Sequence, residues 1–162
     1  MTLPEPSEPL ETFSPNWYYN NEPIDSLPDD CVGFVYCITD TINNKRYIGK
    51  KLAKFKKTKQ KTVTLKNGNK KKKKITEYID SDWREYFGSN NELKKIVEEN
   101  GPNAFFREIL VMCSSTGEMS YIETKYQFEY DVILNPDKWY NAYIMCRVSP
   151  SHVKNFMENK NA

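Results

Sequence analysis

The sequence predicts a small α+β domain, a three-stranded antiparallel sheet flanked by helices, and three observations lead to this fold class. Two short apolar runs within residues 34–48 have the pattern of a β-hairpin. A lysine-rich insertion over residues 50–75 follows the second strand. Helical and strand patterns then alternate to residue 148, as in helices packed on one small sheet. The chain of 162 residues, 38% hydrophobic, is long enough for one such domain with its own core.

The ends of the chain differ in composition from this domain, which we place at residues 31–148. Residues 1–30 form a proline-rich, acidic N-terminal arm, and we expect its first dozen residues to be mobile, because proline and charge disfavour regular structure. Within the arm, Trp17-Tyr18-Tyr19 must bury aromatic area, either against the domain or against a partner protein. Residues 149–162 form a C-terminal tail.

The hairpin pairs Phe34–Ile38 with Tyr47–Ile48 around the polar turn Asp40–Lys45. Two consecutive asparagines in that turn tolerate a positive φ. The pairing places Tyr36 and Tyr47 on neighbouring strands. Adjacent tyrosines followed by lysines indicate either cross-strand packing or the floor of a site for an anionic substrate.

The insertion carries thirteen lysines and no acidic residue over positions 50–74. Because Asn67-Gly68 is a favourable hairpin turn, the stretch forms either a short ribbon with a basic tip or a solvated, disordered loop. The uncompensated charge favours contact with the phosphate backbone of nucleic acid, which lysines bind without reading sequence. The candidate DNA-binding residues are Lys50, Lys54, Lys57, Lys70, Lys71, Lys72, Lys73 and Lys74.

Four further elements follow the insertion. A helix is expected where apolar residues recur at helical spacing, with Ser89 or Asn90 as its N-cap and Gly101 after its end. The predicted elements are the helix Asn90–Asn100, the buried strand Ala104–Met112, the helix Gly117–Leu134 and the closing strand Trp139–Val148.

Composition excludes several classes of protein. The four cysteines lie far apart and the one histidine, His152, is in the tail, which disfavours structural zinc and predicts buried free thiols. No run approaches the ~20 apolar residues of a membrane span, and the N-terminus carries Glu5 and Glu8 where a secretory signal is basic. We therefore expect a cytoplasmic protein without a membrane partner.

The spacing Val35-Tyr36, ten residues, Tyr47-Ile48-Gly49 resembles the signature of the GIY-YIG nuclease superfamily. One departure is Phe34, which stands where the family has its first glycine, with Gly33 one position earlier. Later blocks resemble the phage-encoded branch of that superfamily. They are Asp82-Trp83, Tyr86-Phe-Gly-Ser89, Phe106-Arg-Glu-Ile-Leu110, Ser120-Tyr-Ile-Glu123 and Trp139-Tyr-Asn141.

The resemblance implies a DNA endonuclease that uses a divalent cation, Mg²⁺ or Mn²⁺, in the cytoplasm of a phage host. It assigns catalytic roles to Tyr36 and Tyr47, and Glu123 matches the helical glutamate that binds the metal. The late asparagine matches Asn141. The family arginine has no equivalent directly after the second motif, so a lysine there or a more distant arginine must replace it. The arginine candidates are Arg84, which we prefer, and Arg107. The lysine candidates are Lys50, Lys51, Lys54 and Lys57, of which we assign Lys51 to the catalytic residues.

Two alternatives stay open at this point. The chain can be a catalytically weak or inactive DNA-binding protein that keeps the fold without the charge-stabilising arginine. It can also be a structural or partner-binding protein whose aromatic arm docks on another molecule.

Overall fold

The computed structural model describes residues 16–154 and contains one mixed sheet, a separate two-stranded ribbon and two α-helices. The elements are β1 (Trp17–Tyr19), β2 (Glu22–Ile24), β3 (Gly33–Asp40), β4 (Lys45–Leu52), β5 (Lys54–Thr64), β6 (Lys70–Asp80), α1 (Asn91–Asn100), β7 (Phe105–Cys113) and α2 (Thr116–Glu129). The sheet has the strand order β2-β1-β7-β3-β4, and β5 and β6 form the ribbon. None of the helices in the described residues is long and apolar enough to cross a membrane.

The sheet is larger than predicted, with five strands instead of three and one parallel pair. The additional strands come from the N-terminal arm, where β1 pairs in parallel with β7. Trp17 is only 1% exposed, and its indole N–H donates to the Trp83 carbonyl over 2.7 Å. The aromatic arm therefore packs into the domain, while the predicted mobile dozen lies outside the described residues.

The hairpin prediction is confirmed, because β3 and β4 pair in antiparallel register and Asn44 has a φ of 54° in the turn. Strand β3 lies inside the sheet between β7 and β4 and is buried along its whole length, as a nearly continuous apolar run predicts. Helix α2 covers one face of the sheet through Met119 and Ile122. Aromatic side chains and α1 cover the other face.

Gly33 explains how the chain accommodates its departure from the family signature. A Cβ atom at this position would lie 2.6 Å from the Met119 sulfur and 2.6 Å from the Lys51 carbonyl oxygen. Phe34, one position later, is fully buried with its ring centre 5.2 Å from that of Trp17. The glycine therefore permits the close approach of α2, while Phe34 fills the aromatic core on the opposite face.

The predictions for both helices are largely confirmed. Helix α1 has Asn90 as its N-cap, with the side chain accepting from the Leu93 N–H, and Gly101 follows its end with a φ of 81°. Helix α2 is shorter than predicted, because the chain turns at Asp131, which has a φ of 48°. Ile133, which lies within the predicted helix but after the observed end of α2, is 39% exposed.

The prediction of a closing strand over Trp139–Val148 is wrong. Backbone pairing with β4 stops after one isolated parallel bridge, between Arg46 and Trp139. The Asn141 side chain then bonds both backbone groups of Ile48, which a continuing strand would have used. The chain consequently leaves the sheet edge, and Cys146 is an exposed thiol instead of a buried one.

The ribbon alternative for the lysine-rich insertion is confirmed. Strands β5 and β6 pair in antiparallel register from Lys54–Asp80 to Thr64–Lys70. Gly68 has a φ of 80° at the predicted turn. The two strands are exposed along nearly all of their length.

A buried carboxylate, Asp40, attaches the C-terminal segment to the end of the hairpin. It accepts hydrogen bonds from the Tyr140 hydroxyl over 2.6 Å, from the Asn43 side chain over 2.8 Å and from the backbone of Ile42 and Asn43. Burial alone raises the pKa of Asp40, but these four donors outweigh it and lower the pKa below its usual value. The interaction stabilises the fold only while Asp40 is ionised.

We expect Tyr140→Phe to lower the free energy of unfolding by about 1.5–3 kcal/mol at pH 7, the range for a hydrogen bond to a charged group. Because the Asp40 pKa is lowered in the folded state, this difference should be present above the unfolded pKa of about 3.9 and shrink as the pH falls below it. Denaturant unfolding at pH 7 and pH 3 measures both effects. Tyr143→Phe is the control, since Tyr143 is 70% exposed, and an equal loss in both variants would contradict the prediction.

Candidate active site

An open groove of about 460 Å³ runs along the edge strand β4. Its walls come from β4, the start of α1, one side of α2 and the segment after Trp139. Because β4 is an edge strand, side chains from both of its faces reach the groove. The lining residues are Tyr47, Lys50, Ser89, Asn90, Asn91, Glu92, Glu123, Gln127, Asn141, Ala142, Tyr143 and Met145.

Glu123 and Lys50 form the charged centre of the groove. The Lys50 ammonium lies 2.9 Å from a Glu123 carboxylate oxygen and donates to the Ser120 hydroxyl over 3.0 Å. The Glu123 side chain is only 13% exposed, whereas that of Lys50 is 33% exposed. Burial raises the pKa of Glu123, and the bond from Lys50 partly offsets that rise.

Tyr47 is the signature tyrosine that lines the groove. Its hydroxyl lies 3.1 Å from the Ser89 hydroxyl, within hydrogen-bond distance. Burial raises the pKa of Tyr47, and the Ser89 contact opposes that change in part. The phenol is therefore protonated near neutral pH and can donate a hydrogen bond to an oxygen in the groove.

Tyr36 lies behind Tyr47, with the two ring centres 6.2 Å apart, and is 1% exposed. Burial, together with the neighbouring Tyr47 and Tyr86, raises the pKa of Tyr36 well above its usual value. Any Cβ on Gly49 would collide with the Tyr36 hydroxyl and lie 2.9 Å from the Tyr47 ring. Gly49 thus allows both rings to pack against each other.

Asn141 and Gln127 both bind the backbone of Ile48. Asn141 accepts from the Ile48 N–H over 3.0 Å and donates to its carbonyl over 2.7 Å. Gln127 donates to the same carbonyl over 3.2 Å. The Asn141 amide therefore holds the C-terminal segment on β4, and the catalytic role predicted for it stays a prediction.

Among the predicted replacements for the family arginine, Lys50 lines this groove and the others lie outside it. Lys51 pairs with Asp82 over 2.6 Å, and its ammonium lies 3.9 Å from the centre of the Tyr86 ring. Arg84 donates to the Asp25 carbonyl over 2.9 Å and stacks on Trp83. No arginine is among the described residues that line the groove, where Lys50 is the only lysine.

Arg107, the second arginine candidate, is a core residue that is 2% exposed. It donates to the carbonyls of Arg84 and Tyr86 over 2.8 and 2.9 Å. Its guanidinium lies between the rings of Trp17 and Phe87, and burial lowers its pKa to about 10. Arg107 thus fixes the aromatic segment that precedes α1.

Most candidate DNA-binding lysines lie on the ribbon and not in the groove. Lys54, at the base of the ribbon, lies 3.9 Å from the Asp29 carboxylate. Lys57 and the residues 70–74 are exposed. Lys50 is the exception, because it faces α2 and not the exterior.

The groove fits a site for one divalent cation with few protein ligands. Among the described residues, no group of three or more His, Cys, Asp or Glu side chains is placed to hold a metal ion. Glu123 nevertheless presents a largely buried carboxylate to the groove and already binds a cationic group. Mg²⁺ is often held by one or two carboxylates, with waters and substrate phosphates completing its shell.

Several groove residues were missed in the sequence, although part of the signal was present. The groove residue Gln127 and Ser120, which binds Lys50, lie four residues after and three before Glu123, so they share its side of α2. The alternation of β4 places Lys50 on the same face as Ile48, toward α2. The sequence did not predict that Tyr143 and Met145 line the groove, because it predicted a strand over that segment, which does not form.

Comparison with known families matches residues 17–144 to the family described as "Putative endonuclease segE, GIY-YIG domain". No curated protein and no solved structure matches the chain. The matched range begins with the first residue of β1 and extends past Asn141, so it includes the whole sheet and the ribbon. This match confirms the resemblance of the tyrosine hairpin to the GIY-YIG signature, and the chain belongs to the segE-type branch of the GIY-YIG nuclease superfamily.

Proposed function

We propose that this chain is a divalent-metal-dependent DNA endonuclease that hydrolyses phosphodiester bonds in the groove along β4. The observation that carries the proposal is the grouping of Glu123, Lys50 and Tyr47 in one open groove of about 460 Å³. These groups provide a carboxylate, a cation and a neutral hydrogen-bond donor, which suit a phosphate that gains negative charge during hydrolysis. We further propose that the protein is phage-encoded and acts in the cytoplasm of the host cell.

In this proposal, Lys50 and Tyr47 bind the scissile phosphate. The Lys50 ammonium supplies the positive charge that the family arginine supplies elsewhere, as a point charge without a bidentate fork. The Tyr47 hydroxyl, close to Ser89, donates to a phosphate oxygen or to the attacking water. Tyr36 supports Tyr47 from behind, and burial opposes its ionisation by raising its pKa well above the usual value.

Glu123 would hold the divalent cation, which when bound supplies positive charge to the leaving oxygen. Ser120 and Lys50 position the Glu123 carboxylate in the unliganded groove. Gln127 holds α2 on β4 through the Ile48 carbonyl, and Asn141 holds the C-terminal segment on the same residue. The distance between Tyr47 and Glu123 is thereby set by protein contacts.

A non-catalytic DNA-binding protein on the same fold is the second candidate, and two observations favour it. No arginine is among the described residues of the groove, and the one buried carboxylate there is already neutralised by Lys50. This alternative retains the basic ribbon and predicts binding without cleavage.

We expect Glu123→Gln to abolish Mg²⁺-dependent nicking of supercoiled plasmid and to leave DNA affinity nearly unchanged, because the side chain keeps its shape and loses its charge. Glu129→Gln makes the same charge change at an exposed position of α2 and should cut normally. Wild-type protein that binds DNA and never cuts it would support the non-catalytic alternative. Normal cutting by Glu123→Gln would refute the assignment of the metal ligand alone.

The pH dependence of cleavage should reflect the raised pKa of Glu123. Since the carboxylate must be ionised to bind a cation, activity should rise with pH through a midpoint above the usual glutamate value of about 4.3. Lys50→Gln removes the group that lowers this pKa, so the midpoint should move to higher pH, besides any loss of maximal rate. Single-turnover rates across pH measure the midpoint, and Lys94→Gln on the exposed side of α1 should leave it unchanged.

A further inference from the structure

The ribbon of β5 and β6 carries a large positive charge that does not contribute to the stability of the ribbon. Each strand contains five lysines, and the two strands together contain only two acidic residues, Glu77 and Asp80. One lysine, Lys59, pairs with Glu77 over 2.7 Å. Lysines protect exposed strand edges from pairing with other chains, but the register also places Lys61 directly opposite Lys73, a repulsive arrangement. This excess of like charge indicates an anionic partner.

The register distributes the lysines equally over both faces of the ribbon. Because side chains alternate along a strand, the consecutive lysines of β6 point in turn to opposite faces. Cross-strand pairs share a face, which assigns each lysine of β5 as well. One face holds Lys54, Lys56, Lys70, Lys72 and Lys74, and the other holds Lys57, Lys59, Lys61, Lys71 and Lys73.

The dimensions of the ribbon match those of duplex DNA. Eleven residues per strand span about 36 Å at ~3.3 Å per residue, close to one helical turn of about 34 Å. The major groove, about 12 Å wide, admits a two-stranded ribbon, whereas the minor groove, about 6 Å wide, is too narrow. A ribbon lying flat on the duplex would turn five lysines away from the phosphates.

We propose that the ribbon enters the major groove of duplex DNA edge first, so that each face is turned toward one of the two phosphodiester chains. The inference rests on the proposed function only in taking DNA as the substrate. The base of the ribbon follows β4 directly, and Lys50, Lys51 and Phe55 line one further cavity beside the active-site groove. The ribbon therefore holds about one turn of duplex next to the groove in which a phosphate is cut.

Two matched triple variants test this arrangement in the full chain. Lys70→Gln, Lys72→Gln and Lys74→Gln remove three charges from one face, and Lys61→Gln, Lys71→Gln and Lys73→Gln remove three from the other. Affinity for a 30-base-pair duplex is measured by fluorescence anisotropy in EDTA at several salt concentrations. Thermal unfolding should be unchanged in both variants, because the replaced side chains are exposed.

We expect both variants to make the slope of log affinity against log salt shallower by similar amounts, up to about 2.7 for three contacts at ~0.9 each. A change in one variant only would mean that the ribbon lies flat, and no change in either would mean that it does not touch DNA. Both results overturn the inference.

Duplex RNA of the same length supplies a second readout. The major groove of duplex RNA is too deep and narrow for a ribbon, so we expect the wild type to bind RNA more weakly than DNA. The two variants should lose affinity for DNA and bind RNA as the wild type does. Equal losses for DNA and RNA would indicate contact with the outer backbone and overturn the inference. Plasmid cleavage by the wild-type chain in Mg²⁺ tests the proposed function separately, so failure of one leaves the other standing.

Discussion

Hydrogen bonds to the backbone of a single residue, Ile48, hold together the elements that line the groove. Its carbonyl accepts from Gln127 on α2 and from Asn141 in the C-terminal segment, and its N–H donates to the same asparagine. Three parts of the chain distant in sequence thus meet at one peptide of an edge strand. The strand would otherwise present open hydrogen-bonding groups there. Side-chain amides satisfy those groups without covering the groove, as a further strand would have done.

Three buried or largely buried carboxylates differ in how their surroundings set their pKa. Asp40 has four donors and a lowered pKa, so it is a fixed charge that anchors the hairpin turn. Glu123 has one cationic partner, Lys50, and a pKa that burial raises above its usual value. Glu108 on β7 has its pKa raised by burial to about 7, opposed in part by Arg46. Only Glu123 among the three opens into the groove.

Local sequence patterns predicted the elements that depend on neighbouring residues. The β3–β4 hairpin, the capped helix α1 and the turn of the ribbon each follow from residues a few positions apart. Pairing between distant segments left no local signal, so the parallel strand β1 was missed. The segment after Trp139 has the composition of a strand, but the Asn141 side chain ends the pairing. For the site, the family motifs pointed to Tyr47 and Glu123, which both line the groove, whereas the position of α2 was needed to place Lys50 there and Lys51 outside.

The contacts of Asp40 with Tyr140 and of Ile48 with Asn141 also determine when the groove is assembled during synthesis. They join residues about one hundred positions apart, and contacts of such high sequence separation form late in folding. The hairpin and the ribbon pair residues that are close in sequence, so all of their residues leave the ribosome before residue 141 does. A ribosome-bound chain can therefore expose its lysines while the wall of the groove is still missing. The last fifth of the chain completes the site.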